Sequence, residues 1–300
     1  MSNTILHRLK ATLGLSLFAI ILLTQSCKKA DVQKEEAAGS TEQTSVSTER
    51  IETLRSSVAA STGAPLTAVQ YNAASKSFIV ASDAMISLED AIKRFPETTD
   101  VKPSSSGSDQ RVYTYTVSRT NASNIAFYVD ATVPAAWVSA LDQAIANWNS
   151  TNSLVFMKRV TSGTTTTTTG GNGNGNGKGK KGGTTTTSTT TPTYNVLVTT
   201  TYDANTSMIA QAYYPEYTGT AGKQVTINTY YNSLSTAQKI FAVTHELGHT
   251  IGLTHTDQTY GNLIPGTPEV DANSVMNSFV LSWVGFTPYD ITAVKTVYPK

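Results

Sequence analysis

The chain has 300 residues, room for one large domain or two ordinary ones of ~100–200 residues. Its formal charge is +1 and only 14% of its residues are charged, against ~25% in ordinary soluble domains, so it carries no basic footprint for nucleic acid. Its single cysteine, Cys27, excludes an internal disulfide framework and a cysteine-built zinc finger.

In chain order, His7, Arg8 and Lys10 precede an apolar run from Leu13 to Leu23. That run falls short of the ~20 residues a spanning helix needs and suits the core of a secretory signal. It leads into Thr24-Gln25-Ser26-Cys27, which reads as a lipoprotein signal peptide over residues 1–26 with Cys27 as the lipidation site. The expected location follows: exported and held by lipid on a bacterial membrane, the outer membrane on its periplasmic or cell-surface side. Secretion is the outcome if Cys27 carries no lipid.

Residues 27–46 are polar, without apolar periodicity, and read as a flexible tether. Residues 47–96 read as a small α/β unit of their own: Ile51, Leu54 and Val58 recur at helical spacing, Phe78-Ile79-Val80 is strand-like, and Leu88–Phe95 is a helix stopped by Pro96. A prodomain, an inhibitory segment and a spacer are all open roles for it. The Ser-, Thr- and Pro-rich stretch 97–110 reads as a linker.

The second unit, 111–300, begins with alternation over Val112–Val117, which predicts a strand, and another strand is predicted at Ile125–Val129. Pro134 suits the first turn of a helix whose stripe is Trp137, Leu141, Ile145 and Trp148. Leu154–Val160 predicts the next strand. Residues 161–193 are threonine runs around Gly-Asn repeats, a composition expected to form a disordered surface insertion. Strand signals resume at Tyr194–Thr199, Met208–Tyr213 and Gln224–Asn228.

Three of the four histidines fall in Thr244-His245-Glu246-Leu247-Gly248-His249-Thr250-Ile251-Gly252-Leu253-Thr254-His255. Ser235 and Gln238 form a capping box that can start a helix here, and Ile240, Val243, Leu247 and Ile251 supply its core-facing stripe. His245 and His249, four apart, stack one turn above each other, a spacing that lets two imidazoles bind one zinc ion. Glu246 follows the first of them, placed to reach a water on the metal. Gly252 is where the helix is expected to end, because glycine takes a left-handed conformation without a Cβ penalty. The turn swings His255 back, so three imidazole nitrogens and one open position make a catalytic zinc site.

These residues match H-E-x-x-H-x-x-G-x-x-H, and the chain resembles the metzincin clan of zinc peptidases over roughly residues 111–300. Within it the chain looks most like the bacterial dual-action HEIGH metallopeptidases, with Leu247 where isoleucine is usual. The resemblance implies an α+β fold with a twisted, mostly parallel sheet, an active-site helix, a Met-turn at Ser274-Val275-Met276-Asn277 and a C-terminal helix within Thr287–Tyr298. It further implies one catalytic zinc ion held by His245, His249 and His255, with Glu246 as general base and Met276 packed below the metal. The product is hydrolysis of internal peptide bonds in a protein or peptide substrate. Ala210, Gln211, Ala212 and Tyr213 occupy the place of the edge strand that pairs with substrate, and pocket walls are expected from 256–275 and the segment after Met276. Ser278 stands where a tyrosine ligand lies in the astacin type.

The competing reading is an inactive surface-binding or adhesion module on the same fold. Asp257 is read as a loop hydrogen-bonder, with metal ligation as its alternative. Asp83 is read first as a turn aspartate. Its alternative is a carboxylate that caps the metal and keeps the enzyme latent, prompted by the absence of a spare cysteine for that role. A monomer is expected.

Overall fold

A computed structural model of the chain describes residues 46–96, 110–169, 184–190, 192–268 and 270–300. The expected signal segment, Cys27, nearly all of the tether and linker residues 97–109 lie outside the described residues. No helix among the described residues is long and apolar enough to cross a membrane.

The first helix, α1 (Thr48–Thr62), starts where the Ser47 side chain accepts a hydrogen bond from the Arg50 N–H and ends at Gly63. It buries Ile51, Leu54 and Val58 against a three-stranded meander, β1 (Val69–Asn72), β2 (Ser77–Val80) and β3 (Ala84–Ser87). Ser87 then caps α2 (Leu88–Arg94), and Pro96 follows its end. Residues 112–117, predicted as one strand, pair only at β4 (Arg111–Val112), against β12 (Asn262–Leu263). The backbone beyond uses other partners: the Tyr113 N–H donates to Gly252 O and the Val117 N–H to the Tyr298 hydroxyl. Gln110, placed in the linker by its sequence, is buried and donates its N–H to Thr267 Oγ1.

After the short α3 (Arg119–Ala122) come β5 (Ile125–Val129), α4 (Ala135–Ser150) and β6 (Met157–Val160). Pro134 is the residue that caps α4, one position before its first turn. Trp137, Leu141 and Trp148 on its stripe are fully buried. Each tryptophan buries ~150–250 Å², worth about 4–6 kcal/mol at ~25 cal/mol per Å². The indole N–H of Trp148 donates to Thr244 O, so this core side chain also ties α4 to the helix that carries the histidines.

Parts of the insertion expected to be disordered form a two-stranded antiparallel ribbon, β7 (Gly163–Thr169) with β8 (Thr184–Thr190). Both strands are nearly all threonine, whose β-branched side chain favours extended backbone. Residues 170–183 and 191 lie outside the described residues.

The chain continues through β9 (Val196–Thr201), β10 (Ala210–Tyr213) and β11 (Gln224–Asn228) to α5 (Thr236–Thr250) and, after β12, α6 (Pro288–Val297). Among the described residues, one eight-stranded sheet runs in the order β1-β2-β3-β10-β11-β9-β5-β6. The β11-β9-β5-β6 stretch is parallel, β10 is antiparallel to β11, and β3 joins β10 in parallel. Helices α4 and α5 pack on each other, and α5 packs on β10 and β11.

The N-terminal meander therefore shares its sheet with the rest of the chain. Its apolar cluster is closed by Tyr113 and Tyr214, which come from the later segment. The main cluster gathers α4, α5, the parallel strands, Met276 and Tyr298.

Candidate metal centre

Helix α5 begins at a capping box: the Gln238 N–H donates to Ser235 Oγ, and the Ser235 N–H donates to Gln238 Oε1. Val243, Leu247 and Ile251 are fully buried, as the stripe predicts, while Ile240 is half-buried. The helix ends at Thr250, and Gly252 has φ +95°, a backbone that L side chains rarely adopt. Its Leu253 N–H turns back to Gly248 O, which starts the reversal that returns His255 to the helix.

The reversal brings His245, His249 and His255 together, all at least nine-tenths buried. Nδ1 of His245 lies 2.8 Å from Val275 O, and Nδ1 of His249 lies 2.8 Å from Leu253 O. A carbonyl oxygen only accepts, so each Nδ1 carries the proton and each Nε2 keeps its lone pair for a metal.

A fourth donor completes the cluster, and it is Asp83, from the turn between β2 and β3. Its Oδ1 lies 3.1 Å from Nε2 of His255 and 3.5 Å from Nε2 of His249, and its Oδ2 lies 3.6 Å from Nε2 of His245. Nε2 of His255 is 3.3 Å from Nε2 of His245, and the four ligand atoms all fall within 4.8 Å of one another. A tetrahedron with ~2.0–2.1 Å arms has edges of about 3.3–3.4 Å, so the donor set has the size of a zinc-type site. Nε2 of His249 and Oδ1 of Asp83 are buried without a hydrogen-bond partner, a state that a shared cation relieves.

Electrostatics follow from this crowding. Burial disfavours the Asp83 carboxylate, but the charge of His255 and the imidazoles of His245 and His249 close around it win and hold its pKa well below the usual range. Burial also opposes a charged His255, yet Asp83 raises its pKa. Burial, then the neighbouring His245, lowers His249 to about 4. Glu246 is buried with Oε2 unpartnered, and burial followed by the Asp83 charge pushes its pKa well up.

The floor of the site is the Ser274–Asn277 turn. Met276 is buried, and a Cβ added to Gly248 would stand 2.4 Å from its Sδ, so any larger residue there would push the Met276 thioether from its place. Asp290, in the capping box of α6, accepts hydrogen bonds from Ser274 Oγ and the Val275 N–H, while Val275 O holds His245. The α6 cap is thereby linked to the first imidazole through the backbone of one residue, Val275. Burial raises the Asp290 pKa. Gly248 and Asp290 carry roles that the motif did not announce. The Thr287-x-x-Asp290 capping pattern was a readable signal for the second; the carbonyls of Val275 and Leu253 have none.

Asp257 stands outside the donor cluster and accepts hydrogen bonds from the N–H and hydroxyl of Ser278, tying the loop after His255 to the segment after Met276. Beside the cluster opens a cavity of about 450 Å³ lined by Met208, Ile209, Phe241, Phe279 and Val280. From 256–275, Gln258 lines it; the remaining walls come from the turn at residues 81–83, β10's approach, α5 and the segment after Met276.

The edge at β10 differs from its expected state. Ala210–Tyr213 does run past the histidines, but its outer side is not open throughout. Ala212 pairs with Ala84 and Tyr213 with Met85, the Ala212 N–H donating to Asp83 O and the Tyr214 N–H to Met85 O. The reason is the meander: a strand edge with free N–H and C=O groups is satisfied here by the chain's own β3.

Among solved structures, myroilysin aligns with a TM-score of 0.37 at 15% identity, covering 60% of this chain and 85% of that one. High choriolytic enzyme 1, a hatching-enzyme zinc protease of the medaka fish Oryzias latipes, aligns with a TM-score of 0.37 at 10% identity, covering 61% and 93%. A comparison with curated proteins returned no match. The family model described as dual-action HEIGH metallo-peptidase matches residues 78–298, a span that includes the histidine helix, the Met-turn, α6 and Asp83. With that match over most of its length, the chain belongs to the dual-action HEIGH metallopeptidase family.

Proposed function

We propose that the protein is a zinc-dependent endopeptidase in which His245, His249 and His255 hold the ion and Glu246 is the general base. The convergence of three imidazole nitrogens beside one unpartnered buried carboxylate, Glu246, carries this reading. Zinc bound there supplies Lewis acidity and lowers the pKa of water towards ~7. Glu246, once ionised, takes the proton of the attacking water and delivers it to the leaving amine. His245 and His249 are kept in the ligating tautomer by Val275 O and Leu253 O, and Met276 holds the floor. Once β3 has left its outer edge, an extended peptide runs along β10, its side chains reaching the cavity between Phe241 and Phe279. Cys27 anchors the exported chain through lipid, and Cys27→Ser should move the protein from the membrane to the soluble fraction.

The test is digestion of denatured casein by the 28–300 protein, before and after limited proteolysis, with zinc or with a chelator. Zinc-dependent internal cleavage that vanishes in Glu246→Gln, with bound zinc retained, supports the reading. Cleavage indifferent to both chelator and mutation overturns it. Activity should also fall below about pH 6, where protons compete with the metal for imidazole nitrogen.

A further inference from the structure

We infer that the chain as folded is a self-plugged form of this peptidase, in which Asp83 is the fourth metal ligand and β3 covers the edge of β10. The inference rests on the metal reading of His245, His249 and His255 and adds to it the state of the site.

Independent observations carry it. The Asp83 carboxylate occupies the corner of the tetrahedron that a catalytic site leaves for water or substrate, 3.1–3.6 Å from the three imidazole nitrogens. The two residues before it, Ala81 and Ser82, have φ of +53° and +87°. Neither is glycine, and such backbone persists only where the surroundings enforce it; it clusters at clamps and switches. Here the left-handed pair reverses the chain from β2 into β3 and places Asp83 over the histidines.

The segment is also fastened on its far side. Asp90 of α2 accepts a hydrogen bond from the Tyr217 N–H, and Arg94, paired with Asp90, donates to Pro215 O. Ser77 Oγ lies 2.7 Å from the Tyr213 hydroxyl. These contacts grip both ends of the 213–217 stretch that follows β10, so the carboxylate is held by a structure and not by one flexible loop. A side-chain carboxylate fills the fourth corner, so the plug presents no peptide bond there to be cut. Because β1–β3 belong to the same sheet as β10, one backbone cut does not free the site; the meander must leave its ladder.

The experiment compares the full chain with Asp83→Ala, each loaded with cobalt(II) in place of zinc, using acetohydroxamate as a small metal-seeking probe. The wild-type visible spectrum should resist acetohydroxamate at concentrations that shift the variant. Zinc release into a chelator should be at least about tenfold faster in the variant. Asp83→Asn, of nearly the same shape, is the second variant and shows the same changes if Asp83→Ala fails to fold. Equal probe binding and equal zinc release in wild type and both variants overturn the inference. Variants that bind the probe uphold the plug whether or not they cleave peptide, because β3 still covers β10 in them. The peptidase reading is overturned only if they cleave no peptide after proteolytic removal of the meander either. Failure of every form to take up cobalt overturns the metal reading, and this inference with it.

Discussion

The cleft has two unlike halves. On one side of the histidines lies Asp83, followed by β3 laddered to Ala212 and Tyr213 and clamped by the Asp90–Arg94 pair. The other half is an open cavity of about 450 Å³, bounded by Asp83, His245 and Glu246 at the cluster and by Met208, Ile209, Phe241, Phe279 and Val280 beyond it. The closed half is tightly hydrogen-bonded and made by the chain's N-terminal segment; the open half is mixed, with Phe241, Phe279 and Val280 beside Gln258, Asn277 and Ser278. The contrast teaches where control and selectivity reside: occupancy of the site on one side, choice of substrate side chain on the other.

The largest effect should come from the carboxylate that both halves share. Glu246→Gln in the Asp83→Ala background should lower turnover about 10²–10⁴-fold, the range for loss of a general base, with zinc content unchanged by elemental analysis. Retained turnover would exclude Glu246 from the proton transfer. Next is the clamp. Arg94→Ala leaves Asp90 buried without its cation, and the side chains of the pair are 2% and 7% exposed. A cost of about 3–5 kcal/mol should loosen the meander, read as faster hydrogen exchange in β3 while α4 stays protected. Exchange rising equally in both would mean that the closed half is no separate unit.

Gly248→Ala should be smaller, about 1–3 kcal/mol, because the new Cβ would stand 2.4 Å from Met276 Sδ and 3.3 Å from the Trp148 ring. The urea midpoint should fall with the m-value unchanged. The least disruptive change is Phe279→Ala in the open half. Phe279 is 71% exposed, so stability should hold. In the Asp83→Ala background, kcat/KM for peptides with a large apolar residue at this pocket should drop about 10-fold, while small-residue peptides are little affected. A uniform drop would assign Phe279 to general binding and not to selection.

Legibility differed along the chain for physical reasons. Helix starts were readable wherever a serine or threonine cap preceded an apolar stripe, as at Ser47, Ser87, Ser235 and Thr287, because capping is satisfied within one turn. Residues 112–117 looked like a strand from alternation alone, yet a strand needs a partner, and Tyr113 and Val117 bond to Gly252 and Tyr298 instead. The threonine runs looked too polar to order, and paired with each other as β7 and β8.

The approach of His245 to His249 was contained in their spacing, since four residues on a helix are one turn, and the turn-back at Gly252 was contained in a single glycine. The resemblance to the metzincin clan began with that same short stretch. What lay over the histidines could not be read there. Asp83 is 162 positions from His245, and nothing local distinguishes it from any turn aspartate. Its position depends on the meander folding onto β10, on a left-handed pair at Ala81 and Ser82, and on a clamp from α2. Helical spacing is a property of neighbouring residues, whereas the fourth corner of the site is set by strands that meet only when the whole sheet has assembled.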